Sequence, residues 1–246
     1  MLNQTNARAV VGKVINPVAG ALVRMGVSPD AVTITGTVGV SLAAVIFLPS
    51  GHFVVGVIII MLFIFSDMID GAMARMTHRK GPWGAFLDST LDRIADGFVF
   101  GSILIWAAST QSALTTAAAL IALVASTVIS YAKARAEGLG LTCNIGIAER
   151  TERLILVLAA AFVYGLGVPY VLPAALWVLS ALAVLTVAQR VALVHRQSMA
   201  IARDLDANSN ADANANASAN ASANANDEAN AEANPDAGAQ TEDGEA

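Results

Sequence analysis

The sequence predicts an all-α integral membrane protein with six transmembrane helices and an N-terminal amphipathic helix on the membrane surface. Of its 246 residues, 56% are hydrophobic and only 13% are charged. Three long stretches contain no Lys or Arg: the stretch between Arg24 and Asp67, the one between Arg93 and Lys133, and the one between Arg153 and Arg190. Each stretch is about twice the ~20 residues that a helix needs to cross a hydrocarbon layer of ~30 Å.

Each stretch carries a turn signal near its middle, with PSGH at 49–52, STQS at 109–112 and GLGVP at 165–169. We therefore expect spans near 31–49, 53–76, 84–108, 113–136, 149–166 and 169–195. A soluble helix needs a polar face, and FVVGVIIIMLFIF at 53–65 has none. This pattern argues against a soluble all-α protein.

Residues 1–203 form the predicted membrane domain, and residues 204–246 form a tail. The domain holds all 14 Lys and Arg and 9 of the 19 acids, a net charge of +5, whereas the tail holds the other 10 acids. The tail repeats Asn, Ala and Ser, so we expect it to be disordered. Residues 1–30 mix apolar residues at roughly helical spacing with basic ones, which is typical of a helix on the inner leaflet.

Basic residues gather at alternate ends of the predicted spans. They are Arg8, Lys13, Arg24, Arg75, Arg79, Lys80, Lys133, Arg135, Arg150, Arg153, Arg190, Arg196 and Arg203. The positive-inside rule places this side, both termini and the tail in the cytoplasm. We therefore expect a multi-pass protein of the plasma membrane.

Acids cluster between the apolar runs, within residues 67–96. Asp67 and Asp70 are three residues apart, and Asp88, Asp92 and Asp96 follow at spacings of four, so each set shares a helix face. The link between the two helices is short, which makes them antiparallel neighbours whose acidic faces can meet. A bare charge near the bilayer centre costs at least ~2.5–3.5 kcal/mol, so these acids must be paired, neutralised or kept at the interface.

Arg75 and Arg93 can pair only two of these acids, which favours a bound divalent metal. Oxygen-only ligands suit Mg²⁺, Mn²⁺ or Ca²⁺, and two such ions can clamp a phosphoryl transfer. Gly71 and Gly84, close to the acids, indicate a close approach either of a diphosphate or of a neighbouring helix. A cation path through a transporter, or a purely structural acid cluster, stays open on the residues alone.

The pattern Asp67-x2-Asp70-Gly71-x2-Ala74-Arg75-x8-Gly84-x3-Asp88-x3-Asp92 resembles, at every fixed position, the signature of the CDP-alcohol phosphatidyltransferases. The resemblance covers roughly residues 8–196. It implies an enzyme in which the hydroxyl of a small alcohol attacks the β-phosphorus of CDP-diacylglycerol and CMP leaves. It also implies a homodimer and no nucleic-acid partner.

The resemblance also implies roles for individual residues. Asp67, Asp70, Asp88 and Asp92 would hold Mg²⁺ or Mn²⁺, as two ions, and Asp92 would also be the general base. Gly71, Ala74, Arg75 and Gly84 would line the CDP-lipid site. In the similar segment GVSPDAVTITG, Asp30 and Thr33 would contact the nucleotide or cap the helix. Asp96 lies beyond the motif, as a supporting partner of the site or a helix-packing acid.

The stretch SYAKARAEGLG at 130–140 resembles the actinobacterial branch of the family that makes phosphatidylinositol phosphate from inositol phosphate. The resemblance implies an acceptor-phosphate pocket formed by Ser130, Lys133, Arg135, Arg153 and Arg190. Converging cations suit a second phosphate, for which Arg offers a bidentate fork. Glycerol 3-phosphate, giving phosphatidylglycerophosphate, is the alternative acceptor, and membrane topology alone is the alternative reason for the cations.

Overall fold

A computed structural model describes residues 15–77, 81–147 and 149–233, with side chains for all of these except 67, 219 and 223–233. Within these ranges all regular secondary structure is helical and no strand occurs. The first helix, α1, covers residues 15–24. The others are α2 (Pro29–Phe47), α3 (Phe53–Ile64), α4 (Ser66–Met76), α5 (Pro82–Thr110), α6 (Ala113–Gly138), α7 (Arg150–Gly165) and α8 (Val171–Ala233).

Helix α1 packs through apolar residues onto α4. Ala19 is buried in one cluster with Ala72 and Met73, and Ile15 and Leu22 pack against that cluster. The remainder of the predicted surface helix, with Arg8 and Lys13, lies outside the described residues. That α1 rests on the inner leaflet therefore stays a prediction.

Helix α2 begins two residues earlier than predicted because Ser28 caps it. The Ser28 side chain accepts a hydrogen bond from the backbone nitrogen of Ala31 at 3.2 Å, and Pro29 occupies the first turn. Serine at this position satisfies an otherwise unpaired N–H, and proline is preorganised for the first turn. Asp30 is therefore an acid of the first turn and is not the cap.

The predicted span 53–76 is two helices, since α3 ends at Ile64 and α4 begins at Ser66. The Ser66 hydroxyl donates to the carbonyl oxygen of Phe63 at 2.6 Å, a local bond of the kind that competes with the helical pattern. Helix α3 is wholly apolar, whereas α4 carries Asp67, Asp70 and Arg75. The break falls where the apolar sequence gives way to the acidic motif.

One hydrophobic core joins α2, α3, α5, α6, α7 and the first part of α8. At the end remote from the acidic motif, three aromatic rings meet edge to face: Phe53 of α3, Trp106 of α5 and Tyr164 of α7. Their centroids are 5.0 Å apart for Phe53–Trp106, 5.5 Å for Phe53–Tyr164 and 5.0 Å for Trp106–Tyr164. Such geometry adds to the burial energy of the rings, so this cluster fixes three helices at the apolar end.

Four helical segments of the described chain are long and apolar enough to cross a membrane: Pro29–Phe47, Phe53–Met76, Ala113–Gly138 and Val171–Ser222. Apolar side chains on α2 such as Leu42, Val45 and Ile46 face outward, as lipid contact requires. The predicted membrane class is therefore supported, and six spans stay a prediction. The remaining candidates are α5, which carries several charges, and α7, which has only 16 residues.

The chain divides into two compact units, residues 1–192 and 193–246. In the second unit the backbone is helical as far as residue 233, which differs from the disorder that the sequence predicts for 204–246. Alanine is the strongest helix former and recurs throughout this segment. Every described side chain from 201 to 222 is exposed, so this stretch of α8 shows no packed face among those side chains.

Close packing of α2 on α3 requires glycine at position 39. A methyl group there would overlap the ring of Phe63. We expect Gly39→Ala to lower the free energy of unfolding by about 1–3 kcal/mol, the usual cost of overpacking. Thermal unfolding of the detergent-solubilised protein measures this effect.

Gly101→Ala in α5 is the matched control, because a methyl group there meets no heavy atom of the described part of the chain within 4 Å. We expect it to leave the unfolding temperature unchanged or to raise it, since alanine favours helix over glycine. Equal unfolding temperatures for the two variants would contradict the packing argument.

Candidate active site

A cavity of about 370 Å³ opens where α2, α4 and the start of α5 meet. The predicted site residues on its wall are Asp30, Thr33, Asp70, Gly71, Ala74, Gly84 and Asp88. The sequence separates these residues into segments that begin at 30, 70 and 84, and the fold brings them to one space. Its volume falls within the ~300–1,000 Å³ typical of small-molecule sites.

Asp70 is the buried carboxylate of this cavity, with 8% of its surface exposed. Its Oδ2 atom lies 2.5 Å from Thr33 Oγ1, which is also 3.1 Å from the carbonyl oxygen of Pro29. A hydroxyl has a single proton, and a bond to a charged acceptor is the stronger of the two. Thr33 therefore donates to Asp70 and holds that side chain in place.

Asp30 lies at the rim of the cavity and accepts a hydrogen bond from Trp83 Nε1 at 3.2 Å. The Trp83 ring is 62% exposed and lies 6.0 Å from the ring of Phe86, centroid to centroid. Trp83 was not among the site residues predicted from the sequence. Its position between Pro82 and Gly84 of the motif, in an otherwise polar link, was the available signal.

The two motif glycines leave open space and are not points of tight helix contact. Among the described residues, a methyl group at Gly84 would meet no heavy atom within 4 Å, and one at Gly71 would meet only Arg75 Nη1, at 3.6 Å. Both glycines line the cavity. Of the two explanations that the sequence left open, room for a ligand fits better than helix packing.

Arg150 of α7 contacts two acids of α5, Asp92 and Asp96. Its Nη1 atom lies 2.9 Å from Asp92 Oδ1, and its Nε atom lies 3.2 Å from both Asp96 Oδ1 and Asp96 Oδ2. Arg93 approaches Asp92 only at 3.7 Å and donates to the carbonyl oxygen of Ser89 at 2.6 Å. The prediction that Arg93 pairs one of the acids is therefore correct but incomplete, because Arg150 makes the closer contact.

Two residues of the predicted acceptor pocket, Arg153 and Ser130, lie near Asp96. Arg153 is 1% exposed and interacts electrostatically with Asp96 and with Arg190. Ser130 lines a small cavity of about 10 Å³ together with Asp96. Burial of these side chains in the bundle goes beyond what membrane topology requires, because topology alone would leave the cations at the surface.

Arg190 is also buried, but backbone carbonyls take two of its donors. Its Nε atom donates to Ile145 at 2.9 Å and its Nη1 atom to Ile129 at 2.5 Å. Arg190 therefore ties α8 to α6 and to the loop after it, in addition to any contact with a ligand. No pattern in the sequence indicated this second role.

The last two members of the predicted acceptor pocket are near the surface. Lys133 has a side chain that is 41% exposed and lies 4.0 Å from Glu137, one turn further along α6. Arg135, in the last turn of α6, is exposed. These two residues are therefore less closely held than Arg153 and Arg190.

The donor set suits a hard divalent cation, since it consists of carboxylates. Asp70 and Asp88 line one cavity, while Asp92 is held by Arg150. Among the described side chains, which do not include that of Asp67, no group of three acids, histidines or cysteines is close enough to hold an ion. The residues therefore fit a metal by chemistry, and the described positions do not assemble a complete ligand set.

Comparison with known proteins identifies the same family as the motif. The family model of the CDP-alcohol phosphatidyltransferases matches residues 26–189. The chain is similar to phosphatidylinositol phosphate synthase of Streptomyces avermitilis, with 46% identity over 206 residues, 80% of this chain and 84% of that protein. It is equally similar to that of Mycobacteroides abscessus, with 46% identity over 206 residues, 83% of this chain and 93% of that protein.

Solved structures agree with this assignment. Phosphatidylinositol phosphate synthase of Mycobacterium tuberculosis in complex with manganese and citrate has a TM-score of 0.72 and 42% identity, covering 74% of this chain and 88% of that one. The same enzyme with CDP-DAG bound has a TM-score of 0.72 and 41% identity, covering 74% and 94%. The predicted family is confirmed: the chain belongs to the CDP-alcohol phosphatidyltransferases and is a membrane transferase of phospholipid biosynthesis, not a cation transporter.

Proposed function

We propose that this protein transfers the phosphatidyl group of CDP-diacylglycerol to a hydroxyl of inositol phosphate, giving phosphatidylinositol phosphate and CMP. The observation that carries the proposal is one cavity lined by the acidic motif, with buried arginines close to the same helix. The names of the relatives support it, since those of Streptomyces avermitilis and Mycobacteroides abscessus are phosphatidylinositol phosphate synthases.

The cavity between α2, α4 and α5 is the proposed site of the CDP-lipid head group. Gly71 and Gly84 leave room at its wall, while Ala74 and Arg75 follow on α4. Asp30 and Thr33 line the α2 side, and Thr33 also orients Asp70. Support comes from the relative of Mycobacterium tuberculosis, which was solved with CDP-DAG bound.

Asp67, Asp70, Asp88 and Asp92 are the proposed ligands of two Mg²⁺ or Mn²⁺ ions. Such ions neutralise the charge that develops on phosphoryl oxygens during transfer. Carboxylate oxygens are the donors that these cations prefer. Support comes from the manganese complex of the relative from Mycobacterium tuberculosis.

Asp92 is the proposed general base. Its carboxylate takes the proton of the acceptor hydroxyl as the hydroxyl oxygen bonds to the β-phosphorus, and the bond from that phosphorus to CMP breaks. Asp92 is half-buried, with 18% of its side chain exposed, and Arg150 fixes its Oδ1 atom. A base that is held in one orientation can stay within reach of the proton it removes.

Ser130, Lys133, Arg135, Arg153 and Arg190 form the proposed pocket for the phosphate of the acceptor. Arg153 and Arg190 are the buried cations among them, and a buried cation attracts phosphate more strongly than an exposed one because solvent screens it less. Glycerol 3-phosphate offers the same charge, so it is the rival acceptor. The relatives' names favour inositol phosphate.

We further propose six spans, with α5 and α7 as the two that carry or adjoin the charged site. The basic ends and both termini would lie in the cytoplasm by the positive-inside rule. The protein would be a homodimer in the plasma membrane, as the family resemblance implies, with residues 204–246 outside the catalytic domain.

The acceptor is tested with purified protein, CDP-diacylglycerol, Mg²⁺ or Mn²⁺, and either inositol phosphate or glycerol 3-phosphate. We expect CMP release with inositol phosphate, accompanied by phosphatidylinositol phosphate. Release of CMP with glycerol 3-phosphate alone would overturn the proposed acceptor. Release with neither would contradict the reaction itself.

The role of Asp92 is tested by Asp92→Asn. We expect CMP release to fall by a factor of about 10²–10⁴, the usual contribution of a general base, because an amide cannot take the proton. Binding of CDP-diacylglycerol, measured at equilibrium, should change little. Asp70→Asn serves as the comparison and should weaken lipid binding, because Asp70 lines the cavity. If Asp92→Asn and Asp70→Asn weakened CDP-diacylglycerol binding equally, Asp92 would be a metal ligand and not the general base.

The structural role of Arg190 is tested by Arg190→Lys, which keeps the charge. Lysine carries its three N–H donors on a single atom, so its Nζ atom cannot occupy the positions of both Nε and Nη1, from which Arg190 reaches Ile145 and Ile129. We expect a loss of about 1–3 kcal/mol in unfolding free energy, the cost of leaving buried polar groups unsatisfied, measured by thermal unfolding. Arg135→Lys, at an exposed position, is the control and should unfold at the same temperature as the wild type. A wild-type unfolding temperature for Arg190→Lys would contradict the structural role of Arg190.

A further inference from the structure

Arg150 contacts two acids that belong to different parts of the proposed site. Asp92 is the last residue of the motif, and Asp96 is one turn further along α5, beside Arg153 and Ser130. The Arg150 guanidinium reaches both from α7, at 2.9 Å and 3.2 Å. One side chain therefore bridges the motif end and the acceptor end of α5.

The position of Arg150 on its own helix is unfavourable for a cation. Arg150 is the first residue of α7, where the helix dipole is positive. The backbone nitrogen of Glu149, just before it, donates to Glu152 Oε2 at 2.9 Å and fixes the start of the helix. Glu149 and Glu152 place negative charge at this helix end, and Asp92 and Asp96 of α5 are the acids that the Arg150 guanidinium contacts directly.

Charge balance at Asp96 decides what Arg153 can offer to a ligand. Asp96 is 9% exposed and interacts electrostatically with Arg153, which is buried in turn. A buried negative charge close to Arg153 would cancel part of its attraction for an incoming phosphate. Arg150 offsets the charge of Asp96 while also contacting Asp92, and Arg150 and Arg93 act on Arg153 directly as well, so the field of Arg153 and Arg190 stays positive.

We propose that Arg150 is a positioning residue with two effects: it sets the orientation of Asp92, and it neutralises Asp96 so that the neighbouring arginines can bind the phosphate of the acceptor. This inference rests on the proposed function in requiring an acceptor that carries a phosphate and Asp92 as the general base. The two effects separate in kinetics. Orientation of Asp92 governs kcat, and neutralisation of Asp96 governs the KM for the acceptor.

The test compares Arg150→Gln, Asp96→Asn and the double variant, using the full-length protein with CDP-diacylglycerol and Mn²⁺. We expect Arg150→Gln to lower kcat and to raise the KM for inositol phosphate about tenfold, which corresponds to about one charge interaction at a partly buried site. Asp96→Asn should not raise that KM. The double variant should restore the KM to within about threefold of the wild type while kcat stays low.

Arg24→Gln is the control for the loss of one positive charge, since Arg24 is exposed at the end of α1; its kcat and KM should match the wild type. Arg150→Lys keeps the charge but not the fork, so it should preserve the KM better than kcat. It also replaces Arg150→Gln if that variant does not fold, as judged by thermal unfolding. A raised KM that Asp96→Asn fails to rescue, or an unchanged KM in Arg150→Gln, would overturn the proposal.

Calorimetry measures the equilibrium binding of inositol phosphate to the same variants and does not require turnover. Weaker binding in Arg150→Gln and its recovery in the double variant are expected, and absence of either contradicts the proposal. If the wild type uses glycerol 3-phosphate instead, the proposed acceptor is wrong, and the series with glycerol 3-phosphate still decides the role of Arg150. The two failures are therefore distinguishable.

Discussion

Negative charges inside an apolar bundle need compensation, and the rest of this structure follows from how that need is met. Five aspartates lie within residues 67–96, beside helices that are long and apolar enough to enter a membrane. Thr33 supplies a hydroxyl to Asp70, Trp83 an indole N–H to Asp30, and Arg150 a guanidinium to Asp92 and Asp96. Each partner comes from a different helix than the acid it serves, so the bonds that stabilise the charges also hold the helices of the site together.

The break at Phe65 and the glycines of α2 give the acids their position. Helix α4 begins anew at Ser66, so its polar face need not continue the apolar surface of α3. A methyl group at Gly36 would overlap the Ser66 hydroxyl. The backbone of α2 therefore lies directly against the start of α4 at this point. Close approach brings Thr33, one turn before Gly36, to Asp70. A bulkier residue at either point would push the donor away from the carboxylate.

The sequence was sufficient to predict the helical membrane fold, the acidic motif and the family. These depend on local information, such as the length of apolar runs and fixed spacing along one or two helices. It was not sufficient for Ser28 as cap, for the break at Phe65 or for the roles of Trp83 and Arg150. Arg150 and Asp96 are 54 residues apart in the sequence. Most of the other deciding contacts also join residues that are far apart along the chain. Spacing along the chain cannot reveal which of several cations reaches a given acid across the bundle.

Burial divides the basic residues that the sequence treated as one cluster. Lys133 and Arg135 are at the surface, where membrane topology explains them without a ligand. Arg153 and Arg190 are 1% and 4% exposed. Burial of a charged side chain carries a desolvation penalty, and membrane topology alone does not require these cations to be buried. Part of that cost at Arg190 is met by two backbone carbonyls, so a buried arginine here is not by itself evidence of a phosphate site. The proposed phosphate pocket therefore depends mainly on Arg153 and, through Asp96, on the charge that Arg150 supplies.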